Sequence, residues 1–171
     1  SYRADKLSRP ASTMKLLTAI TTLSRPDADE PFRTEVWHDG VIEHDTLQGN
    51  LYVVGGFDPE FDSQAMDSLI EEVMTFPFSV INGQVYGDVS MKDSLYWGHG
   101  WAWDDTPAGY QPYLSPLMFC KGTVQISVFP SAVQGDTASI SCKPVSSYYT
   151  LTNRTKTRTS SAGKFSFSRD W

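Results

Sequence analysis

A serine and a lysine three positions apart, Ser12 and Lys15, are the two side chains in this sequence best suited to covalent chemistry. Residues three apart on a helix lie on one face, so the hydroxyl and the amine would be within reach of each other. A serine becomes a nucleophile when an adjacent base accepts its proton, and a lysine kept neutral by burial or by a nearby positive charge can be that base. The alternative is a helix N-terminus with an exposed lysine. The same spacing recurs at 161–164, where a glycine favours a surface turn.

The residues after Pro10 must position this pair. Their periodicity predicts an amphipathic helix that begins after Pro10, a residue favoured at helix starts, and ends at 24–26. Ser12 would then lie in the first turn, in the positive field of the helix N-terminus. The apolar positions that recur at spacings of three and four are Ala11, Met14, Leu16, Leu17, Ala19, Ile20 and Leu23.

The remainder of the chain reads as mostly β-structure. A second helix is predicted from Asp62 or Ser63 to about residue 74, with an aspartate or serine cap at its start. Residues 92–116 are rich in Trp, Tyr, Gly and Pro, which predicts an ordered loop with its own aromatic packing. Strands are predicted by alternation and by turn residues at 32–37, 49–56, 80–89 (two strands about Gly83), 123–129, 137–142, 148–152 and 164–168.

Composition excludes several classes of function. The net charge is −6 and the sequence pI is about 4.9, which disfavours nucleic acid and anionic membrane surfaces as partners. No run of 18 apolar residues exists that could span a membrane. The three histidines, His38, His44 and His99, have no metal-ligand spacing, so no metal site is predicted.

Two further features leave alternatives open. The cluster of Trp97, Trp101 and Trp103 is either the core of the loop or a platform for a sugar or peptide. Cys120 and Cys142 flank a turn-forming stretch and are either a cross-strand disulfide or two buried, unpaired thiols.

Four segments, 9–19, 49–59, 81–88 and 98–105, resemble in order and spacing the class C low-molecular-mass penicillin-binding proteins, the serine-type D-alanyl-D-alanine carboxypeptidases/endopeptidases. The specific parts are Gly-Gly-Phe-Asp-Pro and Gly-His-Gly-Trp-Ala-Trp-Asp-Asp. The resemblance implies an α+β fold: residues 1–31 would carry the S-x-x-K helix of a transpeptidase/β-lactamase-like domain. Residues 32–171 would be a β-rich inserted region with one or two helices, truncated at its C-terminus. Residues 1–31 alone are expected to be poorly packed or to pair with another chain.

The resemblance also implies a mechanism. Ser12 would be the acyl-enzyme nucleophile, Lys15 the proton acceptor, and Asp93 the carboxylate that holds a substrate amine, with no cofactor and no metal. The substrates would be peptidoglycan stem peptides, β-lactams would acylate the same serine, and the location would be periplasmic or otherwise exported. Met91 and Lys92 stand where the family usually has Phe and Asp.

The sequence also lacks two motifs that the family has. Neither of its two further motifs, S-x-N and K-T-G, occurs in these 171 residues, and the Lys156-Thr157 pair is followed by arginine. The chain is therefore expected to be the N-terminal part of the enzyme and inactive alone. The alternative from another class is a catalytically inactive module that binds peptidoglycan or a partner.

Overall fold

The computed structural model describes residues 4–27, 29–102, 105, 108–159 and 165–169. The chain divides into two compact units, Ser1–Pro31 and Phe32–Trp171. The division falls at the boundary that the sequence suggests, while the assignment of each unit to a domain of the family stays a prediction. Helices and mixed sheets occur together, so the predicted α+β class is confirmed.

The described residues of the first unit form a short 3-10 turn followed by a helix. The 3-10 turn spans Ala11–Thr13 and leads directly into α1, Met14–Leu23. The helix ends where the sequence predicts, because Ser24 N donates to Ile20 O at 3.0 Å and Pro26 follows. None of the described residues between 4 and 31 is buried, and the apolar side chains of α1 are exposed. The expectation of poor packing is met within this segment.

The described residues of the second unit form two interleaved three-stranded sheets and a hairpin. The strands are β1 Thr34–His38, β2 Val41–Glu43, β3 Thr46–Gln48, β4 Leu51–Gly55, β5 Val80–Ile81, β6 Val85–Asp88, β7 Gln125–Phe129 and β8 Ser139–Lys143. The first sheet has the order β1-β4-β6, with β4 antiparallel to β1 and parallel to β6. The second has the order β2-β3-β5, with β3 antiparallel to β2 and parallel to β5.

An α-helix, α2, spans Ser63–Val73 between β4 and β5. Asp62 caps it, because its carboxylate accepts from Gln64 N and Ala65 N, both at 3.0 Å. The predicted helix and its cap are therefore confirmed. The two short strands on either side of Gly83 are also confirmed.

The core of the second unit lies against one face of the first sheet and around the central strand of the second. Leu47 is fully buried in β3, and Leu51 in β4 is 7% exposed. Residues Pro116 and Leu117 press so closely on β4 that a Cβ on Gly55 would lie 2.3 Å from Leu117 N. Glycine at this position therefore lets the loop approach the sheet.

The β7–β8 hairpin does not place Cys120 and Cys142 opposite each other, as a cross-strand disulfide would require. Strands β7 and β8 pair so that Cys142 lies opposite Ile126, because the hairpin turns nearer to residue 134 than to 131. Cys120 instead lies before β7, in the 3-10 segment Phe119–Gly122, and both thiols are free. The alternative of a cross-strand disulfide is wrong.

Two predicted strands are also wrong. Residues 148–152 and 165–168 have no strand structure, and residue 164 lies outside the described residues. Tyr148 is 97% exposed and Phe167 is 61% exposed. Alternation of apolar residues forms a strand only when a neighbouring strand completes its hydrogen bonds, and neither segment pairs with a described strand.

Candidate functional site

Ser12 and Lys15 lie within one turn of chain in the first unit. Ser12 is the central residue of the 3-10 turn, and Lys15 is the second residue of α1. The two residues are three positions apart across the junction of the 3-10 turn and α1, a spacing that makes residues neighbours on a helical surface. The turn differs from the predicted α-helical first turn, because Thr13 N bonds to Pro10 O at 3.0 Å, three residues back.

The immediate surroundings of this pair are open. Both residues are exposed, and no hydrogen bond joins the Ser12 hydroxyl to the Lys15 amine. The burial that would keep a lysine amine neutral is therefore not supplied by the described residues. Ala11, directly before the serine, has φ of 45°, in the left-handed region that favours glycine. Backbone strain of this kind is often found next to functional residues.

Asp93, the third predicted site residue, belongs to the second unit and is already paired. Its Oδ1 accepts from Lys92 Nζ at 2.5 Å and from Leu95 N at 3.1 Å. The ammonium of Lys92 also donates to Leu95 O, and its side chain is only 20% exposed. The hydrogen bond from Lys92, followed by that from Leu95, lowers the pKa of Asp93, which therefore stays ionised. The sequence did not predict this internal ion pair.

An aromatic cavity of about 700 Å³ is lined by residues that follow Asp93 in the chain. The rings of Trp97 and Trp101 meet edge to face, with centroids 5.4 Å apart, and Tyr113 lies 5.7 Å from Trp97. These contacts confirm the predicted aromatic packing of the loop and favour the loop-core interpretation, while Trp103 lies outside the described residues. The cavity is lined by Ser94, Leu95, Tyr96, Trp97, Trp101, Ala102 and Tyr113.

A hydrogen-bond network around Asp39 was not predicted from the sequence. The Asp39 carboxylate accepts from Asn50 N at 2.7 Å, from Asn50 Nδ2 at 2.9 Å and from the Tyr52 hydroxyl at 2.7 Å. These bonds, led by the one from the backbone of Asn50, lower the pKa of Asp39 to about 2. The bond to Asp39 raises the pKa of Tyr52. The turn at Asp39 is thereby tied to β4.

Two kinds of site are absent from the part of the chain that the structure describes. No group of three or more His, Cys, Asp or Glu side chains is placed to hold a metal ion. His38, for example, contacts the carbonyl oxygen of Gly40 through Nδ1 at 3.0 Å. Within the same residues, no helix has the length and apolar character needed to cross a membrane.

Comparison with known proteins gives consistent matches. The family model described as D-Ala-D-Ala carboxypeptidase 3 (S13) matches residues 1–167. The D-alanyl-D-alanine carboxypeptidase of Actinomadura sp. (strain R39) is 31% identical over 154 residues, which are 86% of this chain and 28% of that protein. The D-alanyl-D-alanine carboxypeptidase DacB of Haemophilus influenzae is 32% identical over 104 residues, 61% of this chain and 22% of that protein.

A solved structure has the same fold over most of the chain. The crystal structure of penicillin binding protein 4 (dacB) from Haemophilus influenzae matches with a TM-score of 0.66 and 27% identity. The match covers 77% of this chain and 29% of that structure. The chain thus spans between a fifth and a third of the length of these relatives.

Proposed function

Because the chain belongs to the D-Ala-D-Ala carboxypeptidase 3 (S13) family, we propose that it is part of a serine-type D-Ala-D-Ala carboxypeptidase or endopeptidase that acts on peptidoglycan stem peptides. The names of the two curated relatives support this proposal. Since the chain spans 28% and 22% of their lengths, the activity is proposed for the whole protein. Residues 1–31 belong to the catalytic domain, and residues 32–171 to a β-rich inserted region.

The observation that carries the proposal is the position of Ser12 and Lys15, three residues apart where α1 begins, in a chain of this family. Ser12 Oγ attacks the carbonyl carbon of the bond between the two D-alanines, and the Lys15 amine accepts the hydroxyl proton. The C–N bond breaks, and this proton passes to the leaving amine. The remaining peptide is held as an ester on Ser12 until water hydrolyses it. The N-terminus of the helix places a positive field beside the charge that develops on the substrate oxygen.

The remaining catalytic roles in the family belong to two motifs that do not occur in these 171 residues. We infer that residues outside this stretch supply the S-x-N and K-T-G groups, because neither motif occurs here. Lys156 and Thr157 do not replace K-T-G, since an arginine follows where a glycine would let the strand backbone approach the substrate. The same residues would supply the burial that Lys15 lacks.

The reaction proposed also implies a location and an inhibitor class. Stem peptides of peptidoglycan lie outside the inner membrane, so the protein acts in the periplasm or an equivalent exported compartment. A β-lactam presents a strained amide carbonyl to the same nucleophile, so it acylates Ser12 and leaves a slowly hydrolysed ester.

One observation favours a second candidate, a catalytically inactive module that binds peptidoglycan or a partner. The carboxylate of Asp93, which is proposed to hold a substrate amine, is occupied by the ammonium of Lys92. A substrate amine would have to displace an ammonium whose second bond goes to the carbonyl of Leu95. The second candidate predicts saturable binding to purified peptidoglycan without turnover.

Intact mass spectrometry of the full-length protein, before and after incubation with a penicillin, tests the first candidate. We expect a gain of one penicillin mass, located at Ser12 by peptide mapping and abolished by Ser12→Ala. Lys15→Ala should slow acylation at least about a hundredfold, as expected when a general base is lost. The matched control is Ser161→Ala in the other S-x-x-K copy, which should acylate normally. A folded full-length protein without an adduct would refute the enzyme and leave the binding module.

A further inference from the structure

The two faces of the first sheet differ in what covers them. Strand register places Leu51, Val53 and Gly55 on one face, and this face packs under the loop at Pro116 and Leu117. We call the other face the open face, because Trp37 and Tyr86 on it are exposed, while its remaining side chains are half-buried. By alternation along the strands and pairing across them, it consists of Glu35, Trp37, Tyr52, Val54, Tyr86 and Asp88.

Three aromatic residues form one row across this open face. Trp37 is paired with Tyr52, and Tyr52 is paired with Tyr86, so the three lie side by side on adjacent strands. The two tyrosine rings stack with centroids 5.4 Å apart and an interplanar angle of 19°. Trp37 is 60% exposed and Tyr86 is 47% exposed. We call these three residues the aromatic row.

Carboxylates hold two of the three rings of this row, those of Trp37 and Tyr52, in place. Trp37 Nε1 donates to Glu35 Oε2 at 3.0 Å, and the Tyr52 hydroxyl donates to Asp39 Oδ2 at 2.7 Å. Fixed rings lose little conformational entropy when a ligand binds. When an indole N–H or a phenol O–H donates a hydrogen bond to an anion, the electron density of its ring also increases. Such rings attract cations through their faces.

The charge of the open face has a single sign. Glu35 and Asp88 flank the aromatic row on one side, and Asp39 lies at the tip of Tyr52 on the other. The face carries no lysine or arginine. In the part of the chain that the structure describes, none of the ion pairs includes any of these three carboxylates. The negative charge of the face is therefore not neutralised by an ion pair with any described residue.

We propose that the open face of the β1-β4-β6 sheet is a docking surface for a basic polypeptide segment of a partner protein. Its arginine or lysine side chains would lie on the rings of the aromatic row and pair with Glu35, Asp88 and Asp39. The row crosses three strands, roughly 10 Å at the usual strand spacing, which is long enough for more than one cation. A carboxylate-rich or phosphorylated ligand would be repelled by the same three charges. The surface is independent of the acylation proposed for Ser12.

The probe for this surface is a hexaarginine peptide, titrated into the labelled chain while the Trp37 indole N–H is followed by NMR. We expect saturable shifts of that signal and weakening by salt. Glu35→Gln/Asp88→Asn should weaken binding about tenfold, because both amides still accept their hydrogen bonds but carry no charge. Tyr86→Ala tests the ring itself and should weaken binding severalfold.

Asp67→Asn/Glu71→Gln is the matched control, because it removes two exposed carboxylates from α2 and changes the net charge equally. It should change the affinity by less than about twofold, as expected for distant surface charges. An equal loss in both double variants would mean general charge attraction and would overturn the proposal. The proposal would also be overturned if hexaarginine shifted other NMR signals but not that of the Trp37 indole N–H. It would be overturned as well if a neutral chito-oligosaccharide shifted the Trp37 signal and hexaarginine did not.

Discussion

The unit that carries the proposed nucleophile and the unit that carries the core are stabilised by different kinds of contact. In the first unit, Ser12 and Lys15 are brought together by a few consecutive residues, and no described side chain is buried. In the second, Leu47 is fully buried in β3 between β2, which precedes it directly in the chain, and β5, which follows 34 residues later. The contrast teaches that the spacing needed for chemistry is local information, whereas the packing that makes such a site rigid is not.

Truncation of one leucine to alanine in each unit should give the largest difference in the free energy of unfolding. Leu47→Ala should lower the free energy of unfolding by about 3 kcal/mol, because it empties a closed position between β2 and β5. Leu17→Ala in α1 should change it by less than about 0.5 kcal/mol, because this side chain is exposed and alanine favours a helix. Urea titration of the chain measures both. A similar loss for Leu17 would break the comparison by revealing a core in the first unit.

A glycine in the second unit gives the next largest effect. A Cβ on Gly83 would lie 2.0 Å from the carbonyl oxygen of Gly49, so the backbone must shift to accept it. Gly83→Ala should cost about 2 kcal/mol, as overpacking does. Gly109→Ala is the control, because the added Cβ would meet only Thr123 Cγ2, at 4.0 Å. Equal thermal midpoints for the two variants would show that the turn between β5 and β6 does not need this close approach.

The smallest effect is the pH dependence of the Asp39 network. Its pKa of about 2 lies below the value near 4 that the unfolded chain has. The ionised carboxylate therefore stabilises the fold fully above about pH 4, and this contribution is lost as the pH falls through 2. Asp39→Asn should lower Tm at pH 7, and the difference from the parent should shrink between pH 4 and pH 2. A constant difference over that range would mean that charge does not matter there.

The helices that could be predicted from the sequence are those marked by residues close together in the chain. The cap at Asp62 and the apolar period behind it predict α2, and the break at 24–26 predicts the end of α1. Residues 148–152 mislead for the same reason, because alternation is local whereas strand pairing is not. The β7–β8 register likewise depends on where the hairpin turns, which the midpoint of two cysteines does not fix.

The candidate sites follow the same division. Ser12 and Lys15 could be named from a short motif, and Asp93 from the family resemblance. The pairing of Lys92 with Asp93 could not, because it depends on the fold of a loop. The aromatic row could not be predicted either, since no spacing along the chain indicates that three separate strands lie side by side.

The crossing of the chain between the two sheets has a consequence for the order of folding. The third strand of each sheet, β5 or β6, pairs with a strand 34 residues earlier, since Val80 meets Thr46 and Val85 meets Leu51. While the chain is being made, β3 and β4 must therefore wait with one edge open until residues 80–88 emerge. Contacts of such separation form slowly, and open edges attract other chains. Helix α2, formed from neighbouring residues, can be complete within that interval and keep the waiting segment compact.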